Sequence, residues 1–157
     1  MKKISSLPLP AFILTLGGIL RISGINASAI WYDEAFSFFM ARLPLGKMLA
    51  QQWIEYSPPL WSLIERPFAH GPLWVLRLPA LVASLASLYV VYLLMQRLNF
   101  DQWQQSLSAA LVAFLPGLLW TAQDARVYAL LSLLYLLAYL FALDGKWRSL
   151  GIVSVLM

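Results

Sequence analysis

Residues 31–37, WYDEAFS, place two adjacent carboxylates, Asp33 and Glu34, between a long apolar segment and an aromatic-rich one. Much further along, TAQDARVY sets a third carboxylate, Asp124, two positions before a guanidinium, Arg126. A carboxylate can take up a proton or help to hold a cation, and an arginine offers fixed donors to an anion. Solvation of ordinary loop charges is the competing account of each pair taken alone. Ionisable groups beside long apolar segments are costly, however, so both stretches are candidates for a site.

Whether they can meet depends on the elements between them. A chain that is 61% hydrophobic and 11% charged, with a mean hydropathy of +0.74, lies outside the range of soluble domains and predicts an integral membrane protein. The net charge of +4 comes from basic residues scattered singly between apolar runs, which excludes the clustered footprint of a nucleic-acid binder. No cysteine is present, so neither a disulfide framework nor thiolate metal ligation is available. The first residues have a signal-like basic start but no small-residue cleavage pattern follows, which favours a retained first helix.

A helix needs about 20 mainly apolar residues to cross a bilayer core, because its backbone polar groups must be satisfied within the segment. The expected fold is therefore all-α and polytopic, with spans over about residues 7–23, 73–96, 107–120 and 127–143, and SLGIVSVLM opening a fifth apolar run. Gly24 is a plausible stop for the first span. The third is short, which implies tilt or a thin bilayer. Lys2, Lys3, Arg97, Lys146 and Arg148 fall on one side, taken as cytoplasmic, although Arg42, Lys47, Arg66 and Arg126 nearly balance them on the other.

The outer loop, about residues 25–72, is too long for a simple connection and too aromatic for a disordered one. It also holds Glu55 and Glu65. From Asp33 onward Phe36, Phe39, Met40 and Leu43 recur at helical spacing with Glu34, Ser37 and Ala41 opposite, predicting a short interfacial helix. Leu45, Met48, Leu49 and Trp53 repeat the pattern, with Lys47 and Gln51 facing away. A third piece follows the break at Ser57, Pro58 and Pro59. Trp31, Tyr32, Trp53, Tyr56, Trp61 and Trp74 supply an aromatic belt. Two crossings separate this loop from TAQDARVY, so Asp33, Glu34, Asp124 and Arg126 emerge on one face.

At this point the chain resembles a family, the GT-C membrane glycosyltransferases that use polyprenyl-phosphate sugars, and in particular their protein mannosyltransferase and aminoarabinose transferase branch. The landmarks run in order. Arg21 near the end of the first helix precedes WYDEAFS, which is similar to Trp-x-Asp-Glu-Ala-Tyr-Ser. SPPLWSLI resembles His-Pro-Pro-Leu-Tyr-Tyr, LRLPALVASL resembles Leu-Arg-Leu-Pro-Ser, and AQDARVYALL resembles Ser-Gln-Glu-Ala-Arg-Met-Tyr. Together they span about residues 21–131.

The resemblance implies that Asp33 is the general base toward an acceptor hydroxyl and that Glu34 assists or orients it. It implies that Arg126 contacts the donor phosphate, that Asp124 positions Arg126 or joins a cation site with Asp33, and that Arg77 is a further phosphate contact. A divalent cation is a possible cofactor, and the donor is a polyprenyl-phosphate sugar. The partners would be the bilayer and an acceptor glycan, lipid or protein on the extracytoplasmic face of the inner membrane, with no nucleic acid. One displacement would invert the anomer; a two-carboxylate retaining route is disfavoured.

Two positions depart from the family pattern. Ser57 stands where many relatives have histidine, and Asp124 replaces glutamate. His70 reads as an interfacial residue, Arg77 by itself as a snorkelling side chain, and Arg21 as a structural partner of a loop acid or carbonyl. The Asn26 triplet NAS matches a glycosylation acceptor close to the membrane. Family members carry many more membrane helices, so the expectation is an N-terminal catalytic-loop portion, inactive alone. The alternative is a small non-enzymatic membrane protein, such as a lipid-carrier flippase subunit or assembly partner, whose acids only anchor the loop. A transport or channel fragment would want facing polar residues in the helix interiors, where the sequence displays almost none.

Overall fold

The computed structural model describes residues 9–54 and 59–157. Lys2, Lys3, Glu55, Tyr56, Ser57 and Pro58, invoked above, lie outside the described residues. Those described form helices, with no strand among them: α1 (Leu9–Ser23), α2 (Tyr32–Arg42), α3 (Leu45–Ile54), α4 (Leu60–Glu65), α5 (Leu73–Leu76), α6 (Leu78–Arg97), α7 (Gln102–Phe114), α8 (Pro116–Thr121), α9 (Tyr128–Leu143) and α10 (Trp147–Leu156). The all-α expectation therefore holds. Among the described residues α6 is the one helix both long and apolar enough to cross a membrane; α1, α9 and α10 are shorter apolar helices.

Local sequence explains the helix ends. Helix α1 stops at Ser23, one residue before Gly24. Asn99 takes a left-handed φ of 52° after α6, where the Phe100 N–H reaches back to the Met95 carbonyl at 3.2 Å and closes the last turn. Asp101 then opens α7 with a capping box, its side chain accepting from the Gln104 N–H while the Gln104 side chain accepts from Asp101. Gly145, with φ +67°, ends α9 in the same manner as Asn99 ends α6, through the Lys146 N–H to the Phe141 carbonyl at 2.9 Å.

Two expected spans are divided. The second begins as the single turn α5 and restarts at Leu78 beyond Arg77. The third starts five residues earlier than expected, at Gln102, and breaks at Leu115, which is extended (φ −61°, ψ 120°) before Pro116. Proline disfavours helical geometry at the preceding residue and has no N–H, so the Val112 carbonyl loses its partner one turn on. Arg21 repairs this break. Its Nη2 donates to the Val112 carbonyl at 2.8 Å, its Nη1 to Ala113 and Gly17 carbonyls at 2.9 Å each, and its Nε to Ser84 Oγ at 2.9 Å. The carbonyl-binding role expected for Arg21 is what its contacts provide.

The bundle packs α1 against α7 and α6, and α6 against α9. Leu14, Leu88, Val91, Met95 and Ala109 form one cluster, and Val90, Leu94 and Leu140 another. Gly17 permits the α1–α7 approach, since a Cβ there would lie 2.6 Å from the Ala113 Cβ. Gly17→Val should consequently cost about 1–3 kcal/mol, the usual range for overpacking, read as a lowered thermal midpoint of the purified protein in detergent, whereas Gly46→Ala, with open space around it, should cost far less. Arg21, Ser84, Ser87, Thr121, Ser132 and Tyr135 border a cavity of about 320 Å³ among these helices. The bundle interior is thus less bare of polar groups than the sequence suggests.

Helix α2 forms where a short helix is expected, and Glu34, Ser37 and Ala41 do share a face. That face is buried, while Tyr32 and Phe39 point outward. The small and polar residues turn toward the bundle because guanidinium groups wait there.

Candidate functional site

One end of the bundle collects the residues singled out above, and the buried pair Glu34–Arg77 is its keystone. Arg77 sits at the joint between α5 and α6. Its Nε and Nη2 donate to the two Glu34 oxygens at 2.6 and 2.7 Å, in the two-pronged geometry that suits guanidinium to carboxylate. Its Nη1 donates to the Ile25 and Ser28 carbonyls at 2.8 and 3.0 Å, and Nη2 reaches Ala29 at 3.5 Å. All five N–H groups are thereby used. The Ala125 N–H donates to Glu34 Oε1 at 3.0 Å, so one carboxylate joins α2, the α5–α6 joint and the loop before α9. Both side chains are essentially inaccessible.

This corrects two expectations. Arg77 has no donor left for a phosphate, and Glu34, buried and fully engaged, neither touches solvent nor orients Asp33. Adjacent helical residues point about 100° apart, so burying Glu34 turns Asp33 away from it.

Asp33 is the acid that faces out. Its carboxylate is 36% exposed and lies 3.9 Å from Arg126 Nη2, while Arg126 Nη1 donates to the Asp33 carbonyl at 3.3 Å and to Ser37 Oγ at 3.4 Å. Arg126 Nε is buried without a partner. Asp33 and Arg126, remote in sequence, are thus brought together as expected from the loop topology.

Asp124 is placed differently from expectation. Its Oδ1 accepts from Trp31 Nε1 at 2.9 Å, and the Trp31 ring packs on Trp120 with centroids 5.3 Å apart. Its carboxyl therefore fixes the start of α2, with no bond to the Arg126 guanidinium. Oδ2 is buried and unpartnered. Burial raises the pKa of Asp124, opposed by the Trp31 hydrogen bond. Asp33 and Asp124 are the expected cation ligands; among the described residues no three His, Cys, Asp or Glu side chains converge on a position that could hold a metal ion. His70 is exposed.

The acid that the sequence reading passed over is Glu65. It is wholly buried on α4, and neither oxygen has a partner. Its pKa is pushed up to about 9, chiefly by burial and secondarily by the Glu34 and Asp124 charges, against the indole of Trp61 and the charge of Arg126. The Trp61 N–H faces Glu65 without reaching hydrogen-bond geometry. Between the ordinary value of 4.5 and about 9 the folded chain keeps a proton that an unfolded chain has lost. Burying Glu65 therefore costs more stability as pH rises across that window. The available signal was an acid on a six-residue helix, LWSLIE, whose neighbours are otherwise mostly apolar.

A cavity of about 170 Å³ opens beside Arg126. Ser37, Gln52, Ser62 and Arg126 give it a polar side, and Trp61, Leu130 and Leu134 are among its apolar walls. Gln52 Nε2 donates to Ser62 Oγ at 2.6 Å across it. Arg42 and Arg66 brace the loop, donating to the carbonyls of Ala69 and Leu43 at 2.8 and 2.6 Å. At the far end of the bundle Arg97 and Lys146 pair with Asp144.

The chain matches no family model, no curated protein and no solved structure.

Proposed function

We propose that this chain is part of a polytopic membrane glycosyltransferase that moves a sugar from a polyprenyl phosphate to an acceptor hydroxyl, at the extracytoplasmic face of a plasma membrane. The observation that carries the reading is the pairing of an accessible Asp33 with Arg126 beside a cavity with one polar side and apolar walls. A prenyl phosphate has the matching chemistry, an anionic head on an apolar chain. The large apolar side chains exposed along the bundle, such as Phe12, Ile19, Val82, Leu111 and Ile152, support a lipid environment or further helices around it.

In this mechanism the acceptor oxygen attacks the anomeric carbon as its proton passes to Asp33. The bond from that carbon to the phosphate oxygen breaks, and the phosphate leaves with the electron pair. Arg126 stabilises the charge growing on the phosphate, with donors aimed where negative charge develops. A single displacement inverts the sugar.

Binding supplies the first test. The protein in lipid nanodiscs should bind farnesyl phosphate more tightly than farnesol, and Arg126→Gln should weaken farnesyl phosphate at least about tenfold, a loss of about 1.4 kcal/mol. Farnesyl phosphate bound by the variant as tightly as by the wild type, or no preference of the wild type for farnesyl phosphate over farnesol, would remove Arg126 from the site.

One observation favours the non-enzymatic alternative: Glu34 anchors the loop, as that reading requires of the acids. It does not extend to Asp33, whose carboxylate holds nothing in place beyond a 3.9 Å approach to Arg126.

A further inference from the structure

The buried floor of the site carries more acid than base. Glu34, Glu65 and Asp124 are each nearly inaccessible, as is Arg77, and the remaining cation is Arg126, whose Nε is buried and whose side chain is 23% exposed. Three carboxyls against two guanidiniums leave one negative charge in excess. An unpaired ionised carboxylate in such surroundings is so costly that it takes up a proton instead. Glu34 is bound on both oxygens by Arg77, and Asp124 is bound on one by Trp31. Glu65 is held on neither.

The charged groups facing Glu65 are Arg126 and Asp124 from the loop before α9 and Glu34 from α2, with the Trp61 indole on its own helix. Arg126 is the only cation of this set, and it borders the cavity together with Trp61.

We propose that Glu65 is a positioning residue for the phosphate site: as a neutral acid it leaves the Arg126 guanidinium open to an anion in the adjoining cavity, and as a carboxylate it captures that guanidinium. This deepens the reading of Arg126 as the phosphate contact and rests on it. Burial of Glu65 supports the neutral form at physiological pH, and ionisation belongs to the alkaline range. The switch acts on binding through Arg126, without Glu65 touching the ligand.

The test is the pH dependence of farnesyl phosphate affinity in nanodiscs, with wild type, Glu65→Gln and farnesol as the uncharged control. A phosphate monoester has a second pKa of about 6, so its charge is constant across the alkaline range. Wild type should lose about tenfold in affinity as pH rises through about 9, Glu65→Gln should bind as wild type at neutral pH and show no alkaline loss, and farnesol should show none with either. An equal alkaline loss in Glu65→Gln, or its absence in wild type, overturns the proposal. A ligand-free readout separates it from the phosphate reading: infrared spectra at neutral pH should contain a protonated-carboxyl band that Glu65→Gln removes. If that band is present but farnesyl phosphate does not bind at any pH, the phosphate site fails and the switch with it; if binding is sound but the band is missing, Glu65 alone is wrongly assigned.

Discussion

In the membrane enzyme proposed to contain this chain, Asp33→Asn lowers sugar transfer at least about a hundredfold, the lower end of what a positioned general base contributes, and leaves farnesyl phosphate affinity within about twofold of wild type. The substitution is nearly isosteric. The Asp33 carboxylate makes no close bond, its nearest cationic neighbour being Arg126 Nη2 at 3.9 Å, and the main-chain carbonyl that Arg126 does bond is unchanged. What disappears is the proton acceptor. Folding and phosphate contact survive, so the loss belongs in the chemical step. A loop whose acids serve only as anchors predicts unaltered behaviour, because Asp33 anchors nothing that asparagine would release.

Arg77→Met strands Glu34 as an unpaired buried carboxylate and should destabilise the protein by about 3–5 kcal/mol, the range for breaking one partner of a buried pair. The Ile25, Ser28 and Ala29 carbonyls lose their donor in the same step, so the chain between α1 and α2 should become sensitive to protease. Arg77→Lys is no rescue, because an ammonium cannot reproduce the two-pronged contact and three carbonyl bonds. Replacing both partners, with Glu34→Leu added to Arg77→Met, should recover part of the loss, since two apolar groups leave no stranded charge. Thermal midpoints of the single and double variants in detergent measure this directly. A double variant less stable than Arg77→Met would contradict the account.

The helical class could be read from hydropathy, because each long apolar run demands internal backbone bonding, and the meeting of the α2 segment with the loop before α9 follows from intervening helices that return the chain to the same end of the bundle. The division of labour between Asp33 and Glu34 could not. Residues that adjoin on a helix necessarily diverge, but which one turns inward depends on where Arg77 lies, and that is set by a helix joint far away in sequence. Pro116 interrupts a helix by its missing N–H, yet the expected third span runs through it; the compensation by Arg21 leaves no local signal, since it draws together α1, α6 and α7. Glu65 read as one loop acid among several. Its burial follows from α4 packing on α2 across residues whose spacing says nothing about that contact.

The most direct test of the central claim uses membranes from cells expressing the enzyme proposed to contain this chain, which retain the native acceptor. With a polyprenyl-phosphate hexose of defined anomer as donor, the account predicts release of polyprenyl phosphate and a product of inverted configuration, with Asp33→Asn abolishing both while the donor still binds. Donor left intact by the wild type, or released equally by Asp33→Asn, would contradict it.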